Sequence, residues 1–185
     1  WPHRGKKRNP GSGSWGGSEV ENDKDAQLTG PLYRGTGVRI KAGAIIRGTA
    51  VIRESTIIES RATIDRAVIW RNCYIGERAE VRGAILQTQV NVKPHAMIFE
   101  GAVVGDSTII GDTAVIRPNV KIWPAKEIES GATIATSIIW GAQGRRSLFG
   151  RFGVTGLVNV DLTPEFAAKL GAAYGATLPM HSTVS

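Results

Sequence analysis

The sequence predicts an all-β fold: a parallel β-helix of six-residue repeats through the middle of the chain, followed by a short α/β fragment with one helix. Three observations carry this. A large aliphatic residue returns every six positions, a small residue stands two positions before each of them, and neither a helix nor a hairpin array has that period.

The large anchors are Ile40, Ile46, Ile52, Ile58 and Ile64, then Ile69, Ile75 and Val81 after one dropped residue. After a second dropped residue they run Leu86, Val92, Ile98, Val104, Ile110, Ile116, Ile122, Ile128 and Ile134. The small partners include Val38, Ala44, Ala50, Thr56, Ala62, Ala67, Cys73, Ala79, Ala96, Ala102, Thr108 and Ala114. Such a pattern fits a coil of three short faces, about 18 residues around, in which anchors fill the interior and small residues let the chain bend. Stacking of successive coils supplies the stability, and roughly five coils fit between Val38 and Ile134. Carrying the register through the dropped residues puts Arg47, Asp65 and Arg82 on one face of successive coils, as an alternating-charge ladder.

The flanks read differently. Residues 1–30 are rich in Gly, Ser and charge, lack periodicity, and are expected to be a disordered or foreign tail. Deleting residues 1–28 is therefore expected to leave the melting temperature nearly unchanged. The β-helix is assigned to residues 31–141, ending near Trp140-Gly141, and residues 142–185 to a linker and a domain fragment. In that fragment Thr163 and Pro164 open a helix as N-cap and first helical residue, Phe166, Leu170 and Tyr174 give it an apolar side, and Gly175 is a candidate stop.

Composition narrows the function classes. The formal charge is +7, of which residues 31–185 carry about +6, but the Arg residues of the repeats alternate with Glu54, Glu59, Asp65, Glu77 and Glu80. That is a solvated surface with local pairs, so no nucleic-acid partner is expected. No apolar run approaches the ~20 residues that span a bilayer, so no membrane partner is expected either. The single cysteine, Cys73, points to a reducing, cytoplasmic setting. It takes a small interior slot and reads as a packed thiol. His3, His95, His181 and Cys73 lack ligand spacing, so no metal site is assigned in this chain. Trp70, Trp123 and Trp140 each come shortly after an anchor, where they cover a coil surface or line a binding face.

The hexads resemble the left-handed β-helix of the hexapeptide-repeat transferases, and the hand comes from that resemblance. A second resemblance spans the end of the repeats and the segments C-terminal to them: Ile116-Arg-Pro-Asn-Val-Lys-Ile-Trp-Pro-Ala-Lys-Glu-Ile-Glu-Ser-Gly131, Ser137-Ile-Ile-Trp-Gly141, Leu148-Phe-Gly150, and Asn159-Val-Asp-Leu-Thr-Pro-Glu-Phe-Ala-Ala-Lys-Leu-Gly171. These segments resemble a bacterial fusion family that joins a sugar-phosphate nucleotidyltransferase of the mannose-1-phosphate guanylyltransferase type, a left-handed β-helix and a phosphomannomutase-like module. The resemblance implies a parent working in GDP-mannose or related sugar-nucleotide synthesis, on sugar phosphate and nucleotide, with Mg2+ in the parent and homo-oligomers through the β-helix. The Gly-x-Gly-Thr-Arg loop, the Ser-His-Asn-Pro core and the Asp-rich metal loop of that family are absent here. The chain is thus expected to be connecting scaffold, with no catalytic residue and no cofactor of its own.

Two candidate sites remain. In a free-standing hexapeptide acyltransferase a His acts as general base, and His95 is the only such residue inside the repeats. In the mutase family the opening segment has the form Phe-Gly-Thr-x-Gly-Ile-Arg-Gly, whose Arg helps hold a sugar phosphate. Phe149, Gly150, Gly153, Val154 and Gly156 match that form, but Arg151 stands for the Thr and Thr155 for the Arg. A hydroxyl lacks the forked, charged hydrogen bonding that a guanidinium gives phosphate, so Arg151 and Thr155 make a weak phosphate site at best.

Overall fold

The computed structural model describes residues 7–8, 14–16, 21–23, 25–139, 154, 158–159 and 162–177. Residues 25–139 wind as a left-handed parallel β-helix whose strands stack into three sheets, one per face. The first face carries Leu32–Arg34, Ala50–Ile52, Val68–Ile69, Ile85–Leu86, Val103–Val104 and Lys121–Ile122. The second carries Arg39–Ile40 through Glu127–Ile128, and the third Ile45–Arg47 through Thr133–Ile134. Parallel crossovers are normally right-handed because strands twist. Strands of two or three residues are too short for that twist to dictate the hand.

Every anchor from Ile40 to Ile134 is buried, and the small partners pack beside them in one continuous core. The small slots are not equivalent. Ahead of the third and first faces they hold Ala at nearly every coil. Ahead of the second face they hold Val38, Thr56, Cys73 and Val90, then Thr108. The polar members of that column are satisfied in one way, by a main-chain carbonyl of the next coil. Thr56 Oγ1 donates to the Trp70 carbonyl (3.0 Å), the Cys73 thiol to that of Gln87 (3.0 Å) and Thr108 Oγ1 to that of Trp123 (3.4 Å). A buried hydroxyl or thiol is tolerated there because its donor is not stranded. Burial pushes the Cys73 thiol up to about 11, which makes it an inert packing group.

The corners correct one expectation. The residue that bends the chain is the one just before the small slot, in the left-handed conformation: Ser55 before Thr56, Arg61 before Ala62, Asn72 before Cys73, His95 before Ala96. Left-handed backbone costs a non-glycine residue roughly 1–2 kcal/mol. Each such N–H donates to a carbonyl of the preceding coil, as Ser55 does to Thr36 (3.0 Å) and His95 to Glu77 (2.9 Å), and these bonds offset the strain. Strand N–H groups donate the other way, to the following coil. Each coil is thus tied in both directions.

Both dropped residues fall at the corner from the third face to the first, between Ile64 and Ile69 and between Val81 and Leu86. The register across them is the expected one, with Asp65 opposite Arg47 on one side and Arg82 on the other. The charges nevertheless pair within coils: Asp65 with Arg66 (3.2 Å) and Glu80 with Arg82 (2.5 Å). Adjacent side chains reach each other with less ordering than partners on different coils, and exposed pairs of either kind contribute little.

The anchor column also reaches further back than Ile40. Leu28 packs against the core, and Arg34 occupies the interior slot directly beneath Ile52. Strands Glu21–Asn22 and Gln27–Thr29 pair in parallel with Arg39–Ile40 and Ile45–Arg47. Over these residues the expected disordered tail is replaced by a first coil, and further back Ser14–Gly16 pairs in parallel with Leu32–Arg34 and antiparallel with Lys7–Arg8; the rest of residues 1–20 lies outside the described residues. The deletion of residues 1–28 is then not neutral. It strips the paired strands Lys7–Arg8, Ser14–Gly16 and Glu21–Asn22, most of Gln27–Thr29 and the Leu28 contact, and it should lower stability in urea by about 1–3 kcal/mol. An unchanged melting temperature would return residues 21–29 to the tail.

At the other end Ile138 bridges to Ile122 and closes the last described turn on the first face. Trp140 and Gly141, the expected end of the coil, lie outside the described residues. The helix is Pro164–Thr177, capped by Thr163, whose Oγ1 accepts from the Phe166 N–H (3.2 Å). Gly175 does not end it, and none of its residues is buried. No helix among the described residues is long and apolar enough to cross a membrane.

Candidate functional site

His95 sits at the corner between the second and third faces with φ 57°, level with Arg78 on the coil before and Thr113 on the coil after. It is exposed, and among the described residues it makes no ion pair. Its backbone role is defined, and among the described residues no carboxylate is paired with its ring. Arg151 and Thr155 lie outside the described residues, and so do Phe149 and Gly150. Of that segment Val154 is described, lining a hollow with Val158, Leu162, Phe166 and Leu170 at the start of the helix.

The more developed surface feature is a column at the corner just past the first face. Register places Ile52, Ile69, Leu86, Val104 and Ile122 on successive coils, so the residues after them stack as well: Arg53, Trp70, Gln87, Gly105 and Trp123. The Arg53 guanidinium lies over the Trp70 ring, 5.6 Å from its centroid. Arg53 and Arg71 both reach Glu54 Oε2, at 3.2 and 3.3 Å. Burial by itself would raise the Glu54 carboxyl, but its backbone hydrogen bond and the two guanidiniums hold it below the usual carboxylate range. Further along, the Thr88 N–H donates to Asp106 Oδ1 (2.7 Å) and Lys121 Nζ to the Gly101 carbonyl (2.7 Å). Trp70 and Trp123 remain 41% and 45% exposed, so this corner shows two indoles to solvent.

The place after an anchor singles out Trp70 and Trp123 in the sequence. Gln87 and Gly105 stand at the same offset from their anchors, Leu86 and Val104, so the signal that joins all four is present in the sequence. Among the described residues no group of three or more His, Cys, Asp or Glu side chains could hold a metal. The Mg2+ expected of the parent therefore finds no fitting donor set among the described residues.

This geometry defines a hexapeptide-repeat β-helix. A family model described as "GlmU-like, C-terminal hexapeptide" matches residues 34–102. A putative acetyltransferase from Bacillus cereus shares the fold with a TM-score of 0.52 at 18% identity, over 85% of this chain and 87% of that one. The perosamine N-acetyltransferase of Caulobacter crescentus, in complex with CoA and GDP-perosamine, matches at a TM-score of 0.41 and 18% identity, over 68% of this chain and 49% of that one. In sequence, the chain is 58% identical over 31 residues to a phosphoglucomutase/phosphomannomutase from Thermococcus kodakarensis, which is 17% of this chain and 7% of that protein. The chain thus spans a small part of that curated relative and about half of the perosamine N-acetyltransferase.

Proposed function

We propose that this chain is the β-helix scaffold of a sugar-phosphate-handling, cytoplasmic enzyme, in which the coil spaces and assembles catalytic domains. The observation that carries this reading is the 58% identity over 31 residues to a phosphoglucomutase/phosphomannomutase, standing beside a β-helix. The coil itself supports it: from Arg39 to Ile134 strands and tight corners alternate without an inserted loop, which makes a stiff rod. A nucleotidyltransferase partner domain, a sugar-nucleotide product, Mg2+ in the parent and oligomers formed through the coil belong to this proposal through the sequence resemblance. Within it, the exchange of Arg151 and Thr155 leaves the mutase-like module with a structural or regulatory role and little mutase turnover.

A second reading is an acyltransferase with His95 as general base. It is favoured by the fold likeness, since the solved structure matching at a TM-score of 0.52 is a putative acetyltransferase, and the fold comparisons lean this way. That likeness is one of fold at 18% identity.

One pair of measurements separates them. On the scaffold reading, calorimetric titration of the purified chain with acetyl-coenzyme A gives no saturable heat, and His95→Ala changes nothing. Saturable binding that weakens in His95→Ala would put the acyltransferase first. In parallel, the parent protein is expected to show little interconversion of mannose 6-phosphate and mannose 1-phosphate. Robust turnover that survives Arg151→Ala would overturn the non-catalytic assignment of the mutase-like module.

A further inference from the structure

The chemical outlier of the interior is Arg34. On every later coil the anchor slots of the three faces hold aliphatic residues, from Ile52, Ile58 and Ile64 to Ile122, Ile128 and Ile134. Arg34 is 5% exposed, and its Nε and Nη1 have no hydrogen-bond partner among the described residues. No ion pair among the described residues reaches it, and burial is what weakens its hold on its proton. A guanidinium stays charged in a protein, so forked donors stand in the interior without an acceptor.

The space around Arg34 is unequal. On its own coil Ile40 and Ile46 fill the other two anchor slots, and Ile52 fills the slot on the next coil. On the coil before, register sets Gly16 against Arg34, and glycine brings no side chain. In that layer Asn22 takes the second-face position and Leu28, packed against the core, the third. In a close-packed interior a missing anchor leaves room for roughly four heavy atoms, the size of a small oxyanion. The strand beyond is Lys7–Arg8, with Lys7 paired to Gly16. The register column therefore reads Lys7, Gly16, Arg34, Ile52. Two basic positions bracket the one that lacks a side chain, about 9.5 Å apart at strand spacing. Among the described residues the second and third sheets end at Glu21–Asn22 and Gln27–Thr29, so this layer lies at the mouth of the coil.

Charge and shape select the occupant. A guanidinium takes an oxyanion through two parallel N–H···O bonds. A tetrahedral phosphate has further oxygens to offer a cation on its other side. A carboxylate has both oxygens on one side, so it meets one cation and leaves the other.

We propose that the first coil binds a phosphate-class oxyanion in the Gly16 layer, forked on the Arg34 guanidinium, with Lys7 as the second cation. The site stands on the unpartnered guanidinium and the gap beside it, independently of both functional readings above. It also gives the burial of Arg34 a use: the charge is unfavourable when bare and compensated when the anion is present.

The test is thermal unfolding of the 185-residue chain in inorganic phosphate, with sodium chloride at matched ionic strength as the reference. A ligand of the folded state raises the melting temperature with its concentration. Phosphate should raise it saturably, by about 3 °C or more at about 50 mM, and acetate by less than about 1 °C. Arg34→Leu, expected to be more stable without phosphate, should lose the phosphate-dependent rise. Gly16→Val, which fills the gap and keeps both cations, should lose it too. Lys7→Ala should raise the half-saturating concentration by about threefold or more. In nitrogen–proton NMR the Arg34 Nε–H signal, identified by its loss in Arg34→Leu, should shift along the same saturation curve. Three results would overturn the proposal: no saturable rise with phosphate, an equal rise with acetate, or a response undiminished in Arg34→Leu, Gly16→Val or Lys7→Ala, which would mark an adventitious ion only. Should Gly16→Val lose its fold, Arg34→Leu keeps the test decisive.

Discussion

Ile98→Asp should abolish cooperative unfolding. Ile98 is 0% exposed on the third face, paired with Val81 on the coil before and Ile116 on the coil after. The substitution places a carboxylate among aliphatic side chains with no donor in reach, at a cost above about 4 kcal/mol. A domain holds only about 5–15 kcal/mol in total. In a solenoid each coil is supported by its neighbours, so a break in the middle uncouples the coils before it from those after it. The urea transition seen by circular dichroism should become broad and early, and amide dispersion should collapse. Ile98→Val, which removes one methylene, should cost only about 0.5–1.5 kcal/mol and keep a single transition. A sharp two-state melt for Ile98→Asp would mean that the carboxylate escapes to solvent and that the coil is looser than described.

Arg34→Leu should do the opposite and stabilise the protein. Arg34 stands in an interior slot that aliphatic residues fill on every later coil of its face, and it is only 5% exposed. Its Nε and Nη1 are buried without a hydrogen-bond partner among the described residues, and burial lowers the affinity of the guanidinium for its proton. An uncompensated interior charge is a net cost, and replacing one by a packed apolar residue commonly yields about 1–4 kcal/mol. The urea midpoint of Arg34→Leu should therefore rise, with the slope unchanged. A lower midpoint would show that the guanidinium is paired in solution, and would move Arg34 from a strained anchor to a stabilising one.

The anchors are legible in the sequence because their period is local: a side chain six residues on faces the same interior whatever surrounds it. The register through both dropped residues is legible for the same reason, and so is the start of the helix at Thr163-Pro164; of its expected apolar side Phe166 and Leu170 line a hollow, while Tyr174 stays 58% exposed. Gly175 fails as a stop because a glycine in an unburied helix end costs only about 1 kcal/mol, too little to halt it. The Arg47–Asp65–Arg82 ladder shows the limit of the pattern. Its positions are as expected, but the choice of partner depends on rotamers that no periodicity encodes.

From Val38 onward the repeat period alone therefore settles the coil: its three faces, its anchors and their order along the axis. Everything that depends on residues about one coil apart is settled by the stacking instead. Ser55 and His95 hold left-handed backbone because a carbonyl of the preceding coil accepts their N–H. Thr56, Cys73 and Thr108 take interior slots because a carbonyl of the next coil accepts their protons. Residues 21–29 join the stack because Arg39–Ile40 and Ile45–Arg47 offer them edges to pair with, although their own composition buries little. Gln87, Gly105 and Trp123 share one surface hollow only when three coils lie on each other, because they belong to three different repeats.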